Sequence, residues 1–374
     1  MPRSLRGIFI MTQRVLVGMS GGVDSSMSAA LLKEQGYDVI GITLKLYDYA
    51  ELNFEPPDGG CCTIDLINDA RLVCDRLGIP HYVIDLKRAF EQNVIENFID
   101  SYSQGRTPNP CINCNRFIKW GEMLKTADKL GCDLVATGHY ARVIEDKSGV
   151  RLLKAVDTSK DQSYALWGIP LEALKRTILP IGNFTKAEIR EKARKCGFRN
   201  ADRPDSQEIC FVPAGDYAAI IAQRRKDDRS LQPGPIYDVR GHEIGEHRGY
   251  AYFTIGQRKG FGIAEGVPLY VTRINPDDRS ITVGTRDHLF ARRFSLSDIN
   301  LLIKPEELPD EVEIKIRYRH GGARGRVELM GKGAMVMFDR PERAITPGQS
   351  AVFYDGERVL GGGIIDQIIE TPGK

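Results

Sequence analysis

A short run of small and polar residues, at positions 20–26, has the groups needed to bind a phosphate. Its sequence is SGGVDSS, and it lies between an apolar run at 14–18, typical of a buried strand, and helically spaced apolar residues at 27–35. A glycine-rich turn at a helix N-terminus offers backbone N–H groups and the positive end of the helix dipole to an anion. The serine hydroxyls can bond phosphate oxygens, and Asp24 can hold Mg²⁺. The run therefore predicts a nucleotide-phosphate site.

The glycine-rich loop differs from two familiar nucleotide loops. It lacks the Gly-Lys-Ser/Thr ending of a Walker A loop, and it is not the Gly-x-Gly-x-x-Gly turn that binds dinucleotides. Its pattern resembles the PP-loop of the ATP pyrophosphatases, which cleave ATP between the α- and β-phosphates and adenylate a carbonyl oxygen. The alternative is an ordinary Ser/Gly-rich turn that caps a helix. We favour the PP-loop because strand, turn and helix each fall where that motif needs them.

Two cysteines three positions apart form a second reactive pattern. Cys111 and Cys114 follow Asn109 and Pro110, and the prolines on both sides of Asn109 predict a stiff, extended loop. Two such thiols can converge on one metal ion or on each other. The two further ligands that a zinc knuckle needs do not follow at close spacing, which disfavours a zinc site.

The other six cysteines give weaker signals by themselves. Cys210 follows polar residues and precedes an apolar pair, so its position alone favours a core residue over a nucleophile. Spacing assigns no role to the adjacent Cys61 and Cys62. Three cysteines on or near predicted helix ends are interpreted as small core residues: Cys74, Cys132 and Cys196.

Composition narrows the class of protein. The 374 residues suggest two or three domains of about 150 residues each. A hydrophobic content of 42% and a charged content of 27% are typical of a soluble globular protein, and no apolar run approaches the roughly 20 residues of a membrane span. Eight cysteines without a signal-peptide pattern favour the reducing cytoplasm. The net charge of +2 does not by itself indicate a nucleic-acid partner, although a local basic face is compatible with it.

Short apolar runs alternate with helical patterns from about residue 14 to residue 140. This alternation predicts a doubly wound parallel α/β sheet, in which ligands bind outside the carboxyl ends of the strands. The loop at 20–26 and the residues at 137–140 each follow a predicted strand, so both should face that crevice. The predicted strands are 39–46, 81–85 and 134–136, and the predicted helices are 66–77, 89–102 and 117–130.

The character of the chain changes near residue 214. Runs with strand alternation, such as 250–255, follow one another between glycines and prolines, and few helical patterns remain. We predict three domains: a catalytic α/β domain at 1–213, a small central linking domain at 214–280, and a C-terminal β-barrel at 281–374.

Nine short motifs, taken together, resemble the family of bacterial tRNA-specific 2-thiouridylases. They occur in one order and extend the resemblance over nearly the whole chain, from about residue 14 to residue 367. The motifs are GxSGGVDS at 18–25, NP at 109–110, CN at 114–115, ATGHYAR at 136–142, KDQSY at 160–164, SQEICF at 206–211, YFTIGQRKG at 252–260, RYRH at 317–320 and TPGQ at 346–349.

The resemblance implies an ATP-dependent reaction on tRNA, supported by Mg²⁺. ATP adenylates the 2-carbonyl oxygen of the wobble uridine in the anticodon loop of tRNAs for Lys, Glu and Gln, and a sulfur atom then displaces AMP. Adenylation is needed because a carbonyl oxygen is a poor leaving group. The resemblance assigns the persulfide sulfur to Cys210 and makes Cys114 the partner that closes a disulfide with it. A sulfur donor or relay protein, fed by a cysteine desulfurase, is implied as a further partner.

The resemblance also carries binding residues over, motif by motif. The anticodon loop is single-stranded, so extruding its base is not costly, and Arg317 and Tyr318 suit phosphate contact and base stacking. The implied ATP site consists of Gly18, Met19, Ser20, Gly21, Gly22, Val23, Asp24, Ser25, Leu44 and Gly138. The implied tRNA contacts are Asn109, Pro110, Cys111, His139, Lys160, Asp161, Gln162, Arg317, Tyr318 and Gln349.

Cys111 departs from the usual family pattern, in which many members have Asp at this position. A thiol with a reference pKa near 8.5 does not substitute simply for a carboxyl group near 3.9, so an acid/base role at this position is in doubt. With Cys114 and Cys210 it makes three candidate thiols. A second mechanism is therefore open, in which these three cysteines ligate a [4Fe-4S] cluster and the sulfur donor is an iron-bound sulfide.

Two other function classes are compatible with parts of the sequence. A PP-loop ligase acting on a small molecule also uses the Ser-Gly-Gly-x-Asp-Ser loop, but it needs no cysteine pair and does not explain a β-rich C-terminal third. An RNA-binding protein with a degenerate ATP site is disfavoured because the loop at 20–26 is intact.

Overall fold

A parallel sheet forms the centre of the N-terminal part of the chain. The computed structural model describes residues 12–48, 64–147, 149–205, 209–212, 216–263 and 266–370. The five strands are β1 (Arg14–Gly18), β2 (Asp38–Lys45), β3 (His81–Asp85), β4 (Leu134–Ala136) and β7 (Thr177–Ile178). They lie in the order β3-β2-β1-β4-β7 with every neighbouring pair parallel. The predicted α/β sheet is confirmed.

The helices begin and end close to the predicted positions, with one difference in type. The predicted helices at 89–102 and 117–130 each contain a π-helical stretch, Glu91–Ile95 and Cys114–Glu122. π-Helical insertions are rare and frequent at functional sites. The α-helices are Val23–Glu34, Ile64–Leu77, Lys87–Phe90, Glu96–Ser103, Pro110–Asn113, Met123–Lys129, Leu171–Leu174, Lys186–Lys195 and Tyr217–Arg224. Short 3₁₀ turns lie at Ser163–Ala165, Arg229–Leu231, Tyr250–Tyr252, Arg286–Leu289 and Pro305–Glu307.

Strand β1 is apolar throughout because the sheet is covered on both faces. Val15 and Val17 point into one buried cluster, which includes residues of the helix Val23–Glu34. Leu16 points into a second cluster on the opposite face, together with Trp120 and Met123. All three strand residues are fully buried, as expected for a central parallel strand with helices on both sides.

A small four-stranded sheet follows in the central part of the chain. Its strands are β8 (Gly234–Asp238), β9 (Glu243–His247), β10 (Tyr270–Asn275) and β11 (Ser280–Gly284), in the order β10-β11-β8-β9. The predicted strand at 250–255 is wrong, since a 3₁₀ turn, Tyr250–Tyr252, occupies this position. The alternation arises because Ala251 and Phe253 are buried in two different apolar clusters, not because the segment is pleated.

The C-terminal part closes into a six-stranded barrel, as predicted. Its strands are β12 (Phe290–Leu301), β13 (Val312–Lys315), β14 (Ala323–Met330), β15 (Gly333–Arg343), β16 (Ser350–Asp355) and β17 (Arg358–Glu370). The order β12-β15-β14-β13-β16-β17 is closed by antiparallel pairing of β12 with β17. Phe294, Phe338 and Phe353 fill the interior and are fully buried. The predicted division of the chain after residues 213 and 280 stays a prediction.

A hairpin from the N-terminal part joins this barrel. Strands β5 (Ala141–Asp146) and β6 (Gly149–Lys154) follow directly after the loop that ends β4, and β6 pairs with β17 at Leu152 and Leu153. Lys154 adds an ion pair to Glu313 in β13, with 2.8 Å between Nζ and the carboxylate oxygen. The nucleotide end of the sheet is thereby joined to the barrel through continuous strands.

Candidate active site

The loop at 20–26 connects β1 to the helix Val23–Glu34, as predicted, and leaves the start of that helix open. Gly22 is the N-cap residue and provides no capping side chain. The Ser25 hydroxyl donates to the Gly22 carbonyl oxygen over 3.0 Å, and the Ser20 N–H donates to the Ser25 hydroxyl over 3.1 Å. These bonds fix the loop from the side, so that the helix N-terminus can receive an anion.

Two glycines of the implied ATP site are required by close packing. Gly21 has a φ of +76°, and a Cβ atom there would clash with the Leu66 carbonyl oxygen. A Cβ atom on Gly138 would lie 2.7 Å from the Asp24 carbonyl carbon and from the Ser25 nitrogen. The loop after β4 therefore packs backbone to backbone against the first turn of the helix.

The remaining implied ATP residues lie at the same edge of the sheet. Gly18 pairs with Ile42 of β2, and the Met19 N–H donates to the Ile42 carbonyl oxygen over 2.7 Å. Leu44 lies two residues further along β2 and is half-buried. The structure thus brings together the carboxyl ends of β1, β2 and β4, as the sequence predicted for this sheet type.

An ion-pair network surrounds Asp24. The Lys186 ammonium lies 2.8 and 2.7 Å from the two carboxylate oxygens of Asp24 and 2.7 Å from a carboxylate oxygen of Asp205. The Tyr140 hydroxyl donates to Asp24 over 2.9 Å. Burial and the neighbouring Asp24 carboxylate raise the pKa of Tyr140, so this phenol stays a hydrogen-bond donor. Sequence reasoning expected residues 137–140 at this crevice but not the bond from Tyr140 to Asp24, and it missed Lys186. The capping pair of Thr185 and Glu188 marks only where the helix of Lys186 begins.

The segment 160–162, implied as a tRNA contact, is built into this same network. The Lys160 ammonium lies 2.7 Å from Asp205, and this hydrogen bond raises the pKa of Lys160. Asp161 accepts hydrogen bonds from the backbone of Ala155 and from Ser163. Gln162 exchanges two hydrogen bonds with the Tyr140 backbone, each of 2.8 Å. The segment therefore supports the nucleotide end of the sheet.

The cysteine segment begins with a capped helix. The Asn109 side chain accepts a hydrogen bond of 3.1 Å from the Cys111 N–H, and Pro110 occupies the first helical position, where its missing N–H has no consequence. Cys111 is exposed, and Cys114 is half-buried at the start of the long π-helical stretch. The predicted stiff loop before the pair thus ends in a helix start.

Cys114 and Cys210 lie at one apolar cluster, which we call the cysteine-side cluster. It is centred on Phe90, Phe98 and Phe211, and both cysteines pack against it from partly buried positions. The Tyr47 hydroxyl donates to the Cys210 carbonyl oxygen over 2.7 Å and fixes the backbone there. Residues 206–208, in the motif that contains Cys210, lie outside the described part of the chain, as do Cys61 and Cys62.

The predicted set of cluster ligands is not assembled in this structure. Among the residues that the structure describes, no group of three His, Cys, Asp or Glu side chains is placed to hold a metal ion. Cys111 is exposed, whereas Cys114 and Cys210 pack against the cysteine-side cluster. A [4Fe-4S] cluster needs three thiolates that face one point, and the described residues contain no group of this kind, so the structure gives no support to the [4Fe-4S] alternative.

A buried polar chain connects the nucleotide end to the cysteine segment. The His139 ring lies 2.7 Å from the Thr137 hydroxyl and 3.2 Å from the Lys119 ammonium, which also donates to the Asn115 side chain over 2.9 Å. Burial, with a further contribution from Lys119, lowers the pKa of His139 well below its ordinary value. His139 is therefore neutral, and its implied tRNA role is that of a fixed hydrogen-bonding group.

Arg317 and Tyr318 are the implied tRNA residues in the RYRH motif of the barrel. Burial raises the pKa of Tyr318, and Asp161 and Cys111 add to this shift. The Tyr318 side chain is half-exposed, with its ring centroid 6.3 Å from that of the buried Tyr164. The Arg317 guanidinium donates to the Arg343 carbonyl oxygen over 3.0 Å. Tyr318 therefore presents an exposed aromatic ring on the barrel.

Gln349 holds the cysteine segment from the barrel side. Its side-chain amide donates to the Thr107 carbonyl oxygen over 2.8 Å, while the Thr107 N–H donates to the Pro347 carbonyl oxygen over 2.9 Å. A Cβ atom on Gly348 would lie within 3.0 Å of three backbone atoms of Thr107. The barrel therefore fixes the chain two residues before Asn109. No helix of the described residues is both long enough and apolar enough to cross a membrane.

Comparison with known proteins covers the three structural parts in order. Family models match at residues 13–214 (tRNA methyl transferase HUP domain), 226–285 (tRNA methyl transferase PRC-barrel domain) and 291–365 (aminomethyltransferase β-barrel domain). The chain is 47% identical over 360 residues to the tRNA-specific 2-thiouridylase MnmA of Carboxydothermus hydrogenoformans, covering 95% of this chain and 98% of that protein.

Further relatives match over the same extent. The chain is 46% identical over 357 residues to the protein of the same name from Acetivibrio thermocellus, covering 94% of this chain and 99% of that protein. It is 45% identical over 364 residues to the one from Clostridioides difficile, covering 96% and 99%. A match of this identity over nearly the full length of both chains, together with a PP-loop and two cysteines at one apolar cluster, shows that the chain belongs to the tRNA-specific 2-thiouridylase family.

Proposed function

We propose that this protein is a tRNA-uridine 2-sulfurtransferase of the cytoplasm, which uses ATP to replace the 2-oxygen of the wobble uridine in tRNAs for Lys, Glu and Gln. The observation that carries the proposal is the position of Leu44. This residue of the implied ATP site packs against the same cysteine-side cluster as Cys114 and Cys210. Activation by ATP and transfer of sulfur can therefore act on one carbonyl group of the substrate.

The first step activates the uridine. The 2-carbonyl oxygen attacks the α-phosphorus of ATP, the bond to the β-phosphate breaks, and pyrophosphate leaves. The open N-terminus of the helix Val23–Glu34 offers N–H donors to the phosphate oxygens. Asp24 is the residue that would hold Mg²⁺, which supplies charge neutralisation at the phosphates.

The second step transfers sulfur. The terminal sulfur of a Cys210 persulfide attacks C2 of the uridine, and AMP leaves with the former carbonyl oxygen. The Cys114 thiolate then attacks the Cys210 sulfur, which forms a Cys114–Cys210 disulfide and releases 2-thiouridine. A dithiol reductant and a persulfide-carrying relay protein, fed by a cysteine desulfurase, restore the starting state.

The anticodon loop is proposed to lie between the cysteine segment and the barrel. Half-exposed Tyr318 offers a stacking face, and Arg317 offers a charge for the phosphate backbone. Exposed Cys111 is proposed to contact the target base. The other proposed contacts are Asn109, Pro110, His139, Lys160, Asp161, Gln162 and Gln349.

Alanine substitution of the two cysteines tests the sulfur step. Cys114→Ala and Cys210→Ala should each lower the rate of 2-thiouridine formation by more than roughly 100-fold, because each removes a sulfur that takes part in bond exchange. Thiouridine is measured by mass spectrometry of digested tRNA. The affinity for tRNA should change by less than about two-fold, since neither thiol contacts phosphate.

Cys196→Ala is the matched control, because Cys196 is also half-buried but lies at the end of the helix Lys186–Lys195. It should thiolate tRNA normally. In the two site variants, tRNA-dependent exchange of pyrophosphate into ATP should persist, because adenylation precedes sulfur transfer. Normal thiolation in either site variant would overturn the proposed sulfur step. Exchange that ignores tRNA and responds to an amino acid would instead favour a small-molecule ligase.

A further inference from the structure

Lys186 is an almost buried cation at the phosphate loop, and it belongs to none of the nine sequence motifs. Only 8% of the residue is exposed, and it opens the helix Lys186–Lys195. Its ammonium group lies within 2.8 Å of both carboxylate oxygens of Asp24 and 2.7 Å from Asp205. The three N–H donors of the ammonium group are therefore all engaged with carboxylates.

The pairing of Lys186 with Asp24 competes with the role of Asp24 in nucleotide binding. Both oxygens of Asp24 face Lys186, and one of them also accepts from Tyr140, so a divalent cation bound at Asp24 would weaken the attraction between Asp24 and the ammonium group. The ammonium group would stay anchored to Asp205, and up to two of its donors would turn to another acceptor. In a site that receives a triphosphate, the phosphate oxygens are the acceptors at hand.

The surroundings keep Lys186 in place during such an exchange. Burial by itself would raise the pKa of Asp205. Hydrogen bonds from Lys160 and Lys186 outweigh this effect and lower the pKa, so Asp205 remains an anion. Arg190 lies 3.2 Å from the same carboxylate. The Lys186 N–H donates to Asp157, so backbone and side chain are both fixed. The ammonium group is therefore held close to the loop, and the surrounding residues need little rearrangement when a ligand binds.

The helix itself offers no competing anion site. Thr185 and Glu188 form a reciprocal capping box, in which the Thr185 side chain accepts from the Glu188 N–H and Glu188 accepts from the Thr185 N–H. The first turn is therefore already satisfied. The side chain of Lys186, rather than the helix N-terminus, is the group available to a ligand.

We propose that Lys186 is a phosphate ligand of the ATP site: it exchanges Asp24 for the β- and γ-phosphates when the nucleotide binds and then stabilises the leaving pyrophosphate. This inference rests on the proposed function and assigns a residue outside the loop at 20–26 to the cleavage between the α- and β-phosphates. Negative charge develops on the pyrophosphate oxygen as that bond breaks, and a positioned cation lowers the barrier. AMP lacks the groups that Lys186 would contact.

Calorimetric titration of the full-length protein with ATP, pyrophosphate and AMP, each with Mg²⁺, tests the proposal. Lys186→Met keeps the aliphatic part of the side chain and removes the ammonium group, whose nitrogen lies 5.6 Å from the centroid of the Tyr140 ring. It should weaken binding of ATP and pyrophosphate by about 10- to 100-fold and change AMP binding by less than about two-fold, because a charge-assisted contact is lost only with the former. Lys195→Met is the control, since Lys195 lies exposed on the same helix and pairs with Glu191; it should leave all three affinities unchanged.

Two results would overturn the assignment of Lys186: an unchanged ATP affinity, or equal losses for ATP and AMP. If Lys186→Met does not fold, Lys186→Met combined with Asp205→Asn removes the carboxylate left without this partner, and is compared with Asp205→Asn alone by the same ratio. The proposed function is tested separately by the unaltered protein. If it binds ATP but forms no thiouridine with a persulfide donor, the proposed function fails. If it forms thiouridine while the variant keeps the ATP-to-AMP ratio, only the role of Lys186 fails.

Discussion

The nucleotide end of the sheet and the cysteine segment are built in opposite ways. At the nucleotide end, Gly21 and Gly138 leave no room for a side chain, and Asp24 is enclosed by Lys186 and Tyr140. At the cysteine segment, Cys111 is exposed and its neighbour three positions on is half-buried against apolar rings. A triphosphate has a fixed shape and charge, so backbone and ion pairs can be shaped for it in advance. In the proposed reaction a sulfur atom passes from a donor to a carrier and then to a base, which requires carriers that other molecules can reach.

The two regions are nevertheless held in fixed relation. His139 follows the loop that packs on Asp24, and its contact with Lys119 reaches Asn115, next to Cys114. From the barrel side, Gln349 holds Thr107 just before the cysteines. Substitutions in the phosphate loop should nevertheless act mainly on ATP binding, and substitutions of exposed barrel cations should act mainly on tRNA binding.

Gly138→Ala should have the largest effect, because it disturbs the nucleotide end of the sheet and weakens ATP binding. The added methyl group would lie 2.7 Å from backbone atoms of Asp24 and Ser25, so the first helical turn must move. We expect ATP affinity to fall by about 30-fold, since overpacking against backbone costs about 2 kcal/mol. Titration with ATP measures this. Gly321→Ala, which meets no heavy atom within 4 Å, is the control and should bind ATP normally. Unaltered ATP binding by Gly138→Ala would show that the nucleotide end is not preformed.

Arg317→Ala should weaken tRNA binding and leave ATP binding unchanged. The loss of one phosphate contact should weaken tRNA binding by about five-fold and lower the slope of log Kd against log salt by about one. ATP affinity should not change. Arg326→Ala removes an exposed barrel cation that faces Glu311 at 3.5 Å, and should leave the slope as it is. A salt slope that is the same in Arg317→Ala and the unaltered protein would remove Arg317 from the proposed tRNA surface.

His139 tests the polar connection between the nucleotide end and the cysteine segment. Its pKa is lowered well below the ordinary value by burial and Lys119, so the unfolded chain takes up a proton near pH 6.5 that the folded protein does not. His139 therefore lowers the free energy of unfolding as the pH falls, by about 0.8 kcal/mol between pH 7.5 and 6.

Denaturant unfolding of His139→Gln at these two pH values measures the effect. The difference between the two free energies should shrink by about that amount, because glutamine does not titrate. His242→Gln, at an exposed position beside Asp238, serves as the control. His81, His247 and His320 also have lowered pKa values, so only the difference between variants reports on His139. An undiminished pH dependence in His139→Gln would show that His139 is protonated in the folded protein.

Several local features could be predicted from the sequence because their signals are local. The apolar run of β1, the open loop after it and the strand at His81–Asp85 follow from patterns within a few residues. The prolines around Asn109 predicted only a stiff, extended loop, whereas the structure begins a helix at Pro110. The turn at Tyr250–Tyr252 could not be predicted in this way, because its alternation comes from burial in two separate clusters.

The sequence alone determined which chemical groups are present: the PP-loop with its carboxylate, the cysteine pair and the distant Cys210. Only the tertiary structure decided which groups meet. Lys186 is 162 residues from Asp24 and closes on it because the parallel sheet brings distant segments to one edge. The hairpin of β5 and β6 joins the barrel across an even longer separation. Motifs record short-range constraints of backbone and charge, whereas an ion pair between distant residues leaves no pattern in a single sequence.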